Sequence, residues 1–132
     1  SWPSGKKIFG NFKKGLIDGQ GEMNHDDGRK YIGNFQNGKK HGKGTFSWPD
    51  GRLYMGEFVK DIFQGEGTYI WSNKDRYQGN FIKGMPQGKG KYIHADGIKF
   101  EGIFRDGLPW RGQEFDQEGR QIRRYSFGKP VD

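Results

Sequence analysis

The sequence predicts an all-β protein, built as one elongated, twisted, single-layer antiparallel sheet of consecutive β-hairpins in 23-residue repeats. Three observations predict it. Related residues return every 23 positions, side chains alternate with a period of two inside each unit, and no helix-length period occurs anywhere. Ile8, Tyr31, Tyr54, Tyr77 and Phe100 open five units. Glycine follows two positions on (Gly10, Gly33, Gly56, Gly79, Gly102), and phenylalanine two beyond that (Phe12, Phe35, Phe58, Phe81, Phe104).

The elements follow in chain order. Residues 1–7 carry the tail of a truncated preceding repeat, because Ser1-Trp2-Pro3-Ser4-Gly5 matches Ser47-Trp48-Pro49-Asp50-Gly51. On that match the chain is expected to be a piece of a longer protein. In the unit beginning at Tyr31, the first strand puts Tyr31, Gly33 and Phe35 on one face and Ile32, Asn34 and Gln36 on the other. Asn37-Gly38 supplies turn chemistry, repeated at Gly15, Gly84 and Gly107 and replaced by Asp61 in the third copy. The second strand carries Gly42, Gly44, Phe46 and Trp48 on one face. An Asp-Gly turn then leads into the next hairpin at Asp27-Gly28, Asp50-Gly51 and Asp96-Gly97, with Asn73-Lys74 standing in once. The array is expected to span residues 8–107. In the fifth copy Arg111 and Gln113 stand at the positions of the glycine pair, Gly112 falls between them and Gly119 arrives one place early. Residues 108–132 are therefore read as a degenerate capping hairpin and tail, with a private binding element as the alternative and Arg124 expected in the next glycine position.

A single sheet must find its core on its own surface. Aromatic rings can lie flat only where a neighbouring position lacks a side chain, so the recurring glycines are predicted to be sockets for the tyrosines and phenylalanines. Five units give ten strands and a ribbon on the order of 45–50 Å long at about 4.8 Å per strand.

Composition narrows the function. The 132 residues contain no cysteine, so no disulfide framework is expected and a cytoplasmic setting is the default. No apolar run approaches membrane-spanning length and no export signal is recognisable, so neither is expected. The recurring Gly-x-Gly pairs sit inside strands and do not read as phosphate loops. His25 and His94 share the repeat position of Trp48 and Trp71, while His41 is assigned to a hairpin loop. No carboxylate cluster at ligand spacing supports a metal, and no unrepeated constellation supports catalysis, so neither enzyme activity nor a cofactor is expected. The net charge of +7 comes in separated islands. Lys39, Lys40, Lys43, Lys83, Lys89 and Lys91 would act together on an anionic membrane if the twist leaves them coplanar. Nucleic acid fits less well, because the rings that would stack on bases are needed for folding.

The Tyr-x-Gly-x-Phe opening, the Gly-x-Gly pair and the Asp-Gly turn together resemble the MORN (membrane occupation and recognition nexus) repeat, from Ser1 to about Gly107. That resemblance implies an elongated, curved antiparallel sheet serving as a scaffold, a cytoskeletal or ciliary component, or an adaptor attached to an enzyme, and it implies a role in binding phospholipid. It carries no catalytic residues.

The expected function is a non-catalytic scaffold or adaptor that binds a protein partner, or a second copy of itself, along its sheet face. Two groups of residues are the candidate contacts. Met55, Val59, Ile70, Ile82, Ile93 and Ile103 are apolar on the face opposite the phenylalanines, and Tyr31, Tyr54 and Tyr77, with Phe46, Tyr69 and Tyr92, line the aromatic groove. The alternatives are a peripheral phospholipid-binding module using the six lysines, or the regulatory segment of a longer enzyme. The expected location is cytoplasmic with cytoskeletal or membrane association, and open sheet edges would permit end-to-end pairing or homodimers.

Overall fold

The computed structural model of the protein describes residues 5–131, and within them every strand joins one open antiparallel sheet. The hairpins are β1 (Lys6–Lys13) with β2 (Leu16–His25), β3 (Lys30–Gln36) with β4 (Lys39–Ser47), β5 (Leu53–Val59) with β6 (Ile62–Ile70), β7 (Arg76–Ile82) with β8 (Met85–Ile93), and β9 (Lys99–Arg105) with β10 (Leu108–Phe115). Beyond the ten strands of these five units, β11 (Gln121–Ser126) and β12 (Lys129–Val131) continue the pairing, so the sheet has twelve. Spatial order equals chain order. The opening match at Ser1 to Ser4 lies outside the described residues.

Two kinds of turn alternate, which puts all turns of one kind along each long edge. The tight turns use two residues at positive φ, as Asn37 (51°) and Gly38 (84°) do, the geometry that matches strand twist. Asp61 holds this conformation at 72° without being glycine, and its carboxylate accepts the Lys40 N–H at 2.8 Å. From the second hairpin on, each tight turn is tied back to the hairpin before it: the N–H of Gly38 donates to Ile17 O, that of Asp61 to Lys40 O and that of Gly84 to Phe63 O, at 2.9–3.0 Å. The wider turns carry the Asp-Gly signature. Gly51 N–H donates to Trp48 O, Trp48 N–H donates to Arg52 O, and Asp50 Oδ1 accepts from Arg52 N–H at 3.0 Å. In the third unit Asn73 Oδ1 serves the same purpose, and Lys74 takes the positive φ of 79°.

The glycines form a lane across the sheet. Gly10, Gly21, Gly33, Gly44, Gly56, Gly67, Gly79, Gly90, Gly102 and Gly112 pair directly, each with the next, through β1 to β10. Rings fill the lane. A Cβ on Gly67 would come within 2.5 Å of the Tyr54 hydroxyl and 2.7 Å of its ring, and Gly44 and Gly90 are covered in the same way by Tyr31 and Tyr77. These three tyrosines have no exposed surface, and Phe35, Phe58, Phe81 and Phe104 are at most 2% exposed. The socket expectation therefore holds for the interior units. Phe12, with no hairpin before it among the described residues, is 47% exposed.

Candidate functional site

The sheet's two faces and two edges differ in what they present. On the phenylalanine face, the interior rings contact one another edge to face, as Tyr31 does with Phe35 (4.9 Å between centroids) and Phe58 (5.1 Å). Burial raises the Tyr31 and Tyr77 phenols to about 12, and each hydroxyl donates to a backbone carbonyl, Asn34 O and Asn80 O. Tyr54 behaves alike, its phenol also raised by burial. Because Tyr31, Tyr54 and Tyr77 are closed off, they support the groove from below and a partner does not reach them.

What remains open is a zigzag along the wide-turn edge of that face. Starting from the buried Phe46, the row runs through Trp48, Tyr69, Trp71, Tyr92 and His94 at centroid separations of 4.5, 5.7, 4.8, 5.2 and 4.8 Å. Trp48, Tyr69, Trp71 and Tyr92 are half-buried, and Arg52 lies over Trp48 at 4.7 Å. His94 ends the row as the repeat position predicts. Asp75 organises this end: it accepts from the Tyr92 hydroxyl at 2.7 Å and from Ala95 N–H at 2.9 Å, and His94 Nδ1 lies 3.7 Å away. Burial works against ionisation of Asp75, but these donors outweigh it and hold the carboxyl below its usual range.

The fifth unit breaks the pattern in a way the 23-residue period conceals. Paired glycines lie eleven residues apart in the first four hairpins, as Gly33 and Gly44 do, but only ten apart at Gly102 and Gly112. One residue is missing from the irregular stretch at the start of β10, so Gly112 holds the lane and everything after it moves up by one. This corrects two expectations. Gly112 replaces the second glycine of the pair, and the residue facing it on β11 is Tyr125 rather than Arg124. The Tyr125 ring closes the lane against Phe100 at 5.2 Å. The same shift puts Glu114 opposite Phe100, where Phe46, Tyr69 and Tyr92 face Tyr31, Tyr54 and Tyr77. A cleft of about 430 Å³ opens there, between the end of the aromatic row and β11.

The opposite face separates the six apolar candidates. Val59 and Ile82 stand at the tight-turn edge, Ile70 and Ile93 at the other end of their strands, and Met55 lies in a row with Thr68, Gln78 and Lys91. Ile103 neighbours Lys89. Among the described residues, direct pairs of exposed aliphatic side chains form only at the tight-turn edge, where Val59 pairs with Ile62 and Ile82 with Met85, all 41–47% exposed; Leu108, 68% exposed, follows the fifth tight turn and lines the cleft. Ile62, Met85 and Leu108 were missed because each opens a second strand just after a turn, outside the repeat's defining positions.

The lysines also sort by position. Lys40 lies on the aromatic face, over the Tyr31 and Phe46 rings at 5.7 and 5.5 Å and 3.4 Å from Asp61. Lys43 pairs across from Glu57, Lys91 lies 3.6 Å from Glu101, and Lys39 and Lys83 flank tight turns. The six are not coplanar. Charge is divided by edge instead. The tight turns with their flanking residues carry +5 (Lys13, Lys14, Lys39, Lys60, Lys83, Arg105 and Lys129 against Asp61 and Asp106). The wider turns, counted with their flanking residues in the same way, balance to zero (Asp26, Asp27, Asp50, Asp75, Asp96, Asp116 and Glu118 against Arg29, Lys30, Arg52, Lys74, Arg76, Lys99 and Arg120).

Among the described residues no group of three or more His, Asp or Glu side chains converges as a metal site would require, and no helix is long and apolar enough to cross a membrane. His41, expected in a loop, lies in β4 beside Lys39 and Lys60. Comparison with known families matches the MORN repeat four times, at residues 9–28, 31–51, 54–76 and 77–99. No curated protein sequence matches the chain.

Proposed function

The chain belongs to the MORN repeat family, and from that premise we propose that it is a non-catalytic scaffold whose aromatic row docks a protein partner. The observation that carries this reading is the row itself. Four large rings lie half-buried in a continuous line on a sheet whose interior strands are each hydrogen-bonded on both sides. Aromatic anchors held on a rigid platform give contact area with little further ordering, which is where protein interfaces gain affinity. A cysteine-free chain of this design suits the cytoplasm, alone or as the adaptor segment of a larger enzyme. The test is selection of peptides from a display library on the wild-type protein, followed by binding to Trp48→Ala and Trp71→Ala. Enriched peptides should lose about tenfold or more in affinity on either variant, the cost of truncating an interface anchor. Failure to enrich peptides, or peptides that bind both variants unchanged, would overturn the reading.

A second reading rests on the tight-turn edge. Its net charge of +5 and its exposed Val59, Ile62, Ile82, Met85 and Leu108 have the composition of a surface that meets anionic lipid, where each basic residue contributes about 1 kcal/mol. Co-sedimentation with anionic vesicles that persists near 0.15 M salt and is lost in Lys60→Glu/Lys83→Glu would favour it, since exposed contacts of charge alone are screened at that ionic strength.

A further inference from the structure

The cleft at the fifth unit occupies a volume that two other units fill from within. The repeat position concerned lies opposite the unit's phenylalanine: Lys40 across from Phe35, Phe63 across from Phe58, and Pro109 across from Phe104. In the third unit the Phe63 ring fills the space, stacked on Tyr54 at 3.9 Å with planes 10° apart. In the second unit a cation fills it, the Lys40 ammonium lying over Tyr31 and Phe46 with Asp61 as its counter-charge. The fourth and fifth units both carry a proline here, Pro86 and Pro109, too short to fill the space; in the fifth unit, where Glu114 also stands in place of the facing aromatic, the cleft is left open, walled by Trp71, Tyr92, Phe100 and Tyr125.

We propose that this cleft receives a basic side chain, lysine or arginine, from the partner, in the manner of Lys40 in the second unit. The missing residue decides between the two internal precedents. It replaces the aromatic of the second, third and fourth units by Glu114, so the guest would meet Phe100 on one side and a carboxylate on the other. Glu114 is held in place by Arg123 at 3.2 Å and its side chain is only 14% exposed, while Asp75 adds a second negative charge behind Tyr92. Counting Glu114, Asp75 and Arg123, the surroundings of the cleft keep one net negative charge. Electron-rich ring faces with a carboxylate in a partly desolvated recess attract a cation more than they attract a neutral chain of equal length. The volume of about 430 Å³ lies in the range of small-ligand pockets and leaves room for the backbone that carries the side chain.

This inference rests on the scaffold reading but is tested apart from it. The probes are N-acetyl-arginine amide, N-acetyl-lysine amide, N-acetyl-norleucine amide and N-acetyl-phenylalanine amide, titrated into the protein while the Trp71 indole N–H resonance is followed by NMR. Either basic probe should shift that resonance saturably and bind about threefold or more tighter than norleucine amide. Glu114→Gln should reduce the basic probes to the norleucine level. Pro109→Phe, which places in the cleft the ring that Phe63 supplies in the third unit, should abolish the shift while the rest of the spectrum keeps its dispersion. Equal or tighter binding of the norleucine or phenylalanine probe, no saturable shift with either basic probe, or basic-probe binding unchanged in Glu114→Gln would overturn the proposal. Loss of the display peptides in Trp48→Ala with no response to the basic probes would leave the scaffold standing and refute the cleft. A response to the basic probes without any display peptide would do the reverse.

Discussion

Replacing Gly67 by alanine tests the physical idea on which the whole sheet depends. An exposed strand glycine replaced by alanine should stabilise by about 0.5–1 kcal/mol, because alanine has less conformational freedom to lose. Gly67 is not in the left-handed region, so alanine meets no backbone penalty there. Its methyl group would instead sit 2.5 Å from the Tyr54 hydroxyl and 2.7–2.8 Å from the ring. Nor does Tyr54 have room to move. It has no exposed surface, it stacks on Phe63 at 3.9 Å, and its hydroxyl donates to Glu57 O at 2.7 Å. Overpacking by one methyl costs about 1–3 kcal/mol, and weakening the stack adds to that, so the expected loss is about 2–4 kcal/mol. Urea unfolding at constant m-value measures it, with Gly84→Ala as the companion: no atom lies within 4 Å of a Cβ there, and its φ of +83° predicts a loss of about 1–2 kcal/mol from backbone strain alone. Tyr54→Leu supplies the double-mutant cycle, in which Gly67→Ala should couple to the ring by about 1 kcal/mol or more. A stabilising or neutral Gly67→Ala, or zero coupling to Tyr54, would refute the socket mechanism.

Other consequences can be checked on the same protein. Phe35→Ala should cost about 3–5 kcal/mol in chemical denaturation, whereas Phe12→Ala, at a ring 47% exposed, should cost about 1–2 kcal/mol. Asp61→Ala keeps the positive φ and loses the acceptor for Lys40 N–H, so it should lower stability by about 1–2 kcal/mol; Asp61→Gly relieves the φ and should stay within about 1 kcal/mol of the wild type. The folded-state phenols of Tyr31 and Tyr77 lie near 12 against about 10 for the unfolded chain, so above pH 10 the unfolded state holds fewer protons than the native one. Their contribution is complete below pH 10 and is lost as pH rises towards 12. Thermal unfolding midpoints should fall across that window, and phenolate absorbance should appear together with loss of the sheet's circular dichroism. His25 is depressed by burial and by Arg29, so its contribution runs the other way, with a small loss of stability as pH falls through about 6.5. In His25→Gln that acid-side slope should flatten.

Much of this was legible without coordinates, because a repeat writes its own constraints several times over. The period-two alternation of Tyr31, Gly33 and Phe35 assigns faces, Asn37-Gly38 and Asp50-Gly51 assign turns, and recurrence in three to five units makes each assignment hard to mistake. The candidate site was less legible for the opposite reason, since function lies where the repetition fails. Gly112 and Gly119 each stand one place early, and together they signal a single missing residue; only the pairing of Gly102 with Gly112 shows that β10 absorbs it and brings Glu114 to face Phe100. Reading Tyr31, Tyr54 and Tyr77 as groove contacts failed on depth. A sequence gives the face of a strand but not the height at which a ring lies, and the glycine sockets draw these rings down until Trp48, Trp71 and Tyr92 become the open surface.

By itself, then, the sequence determined the class of fold, the hairpin order, the turns and the glycine lane, all of which follow from local spacing and the stereochemistry of single residues. The tertiary structure alone decided how charge is distributed. Counted along the chain, the basic residues form islands unit by unit; once the strands pair, residues 23 apart line up and one long edge carries +5 while the other balances to zero. It also decided which aliphatic side chains meet, pairing Val59 with Ile62 and Ile82 with Met85 within their hairpins. Neighbourhood across a sheet is set by register between strands, and register is a property of the assembled ladder rather than of any one segment.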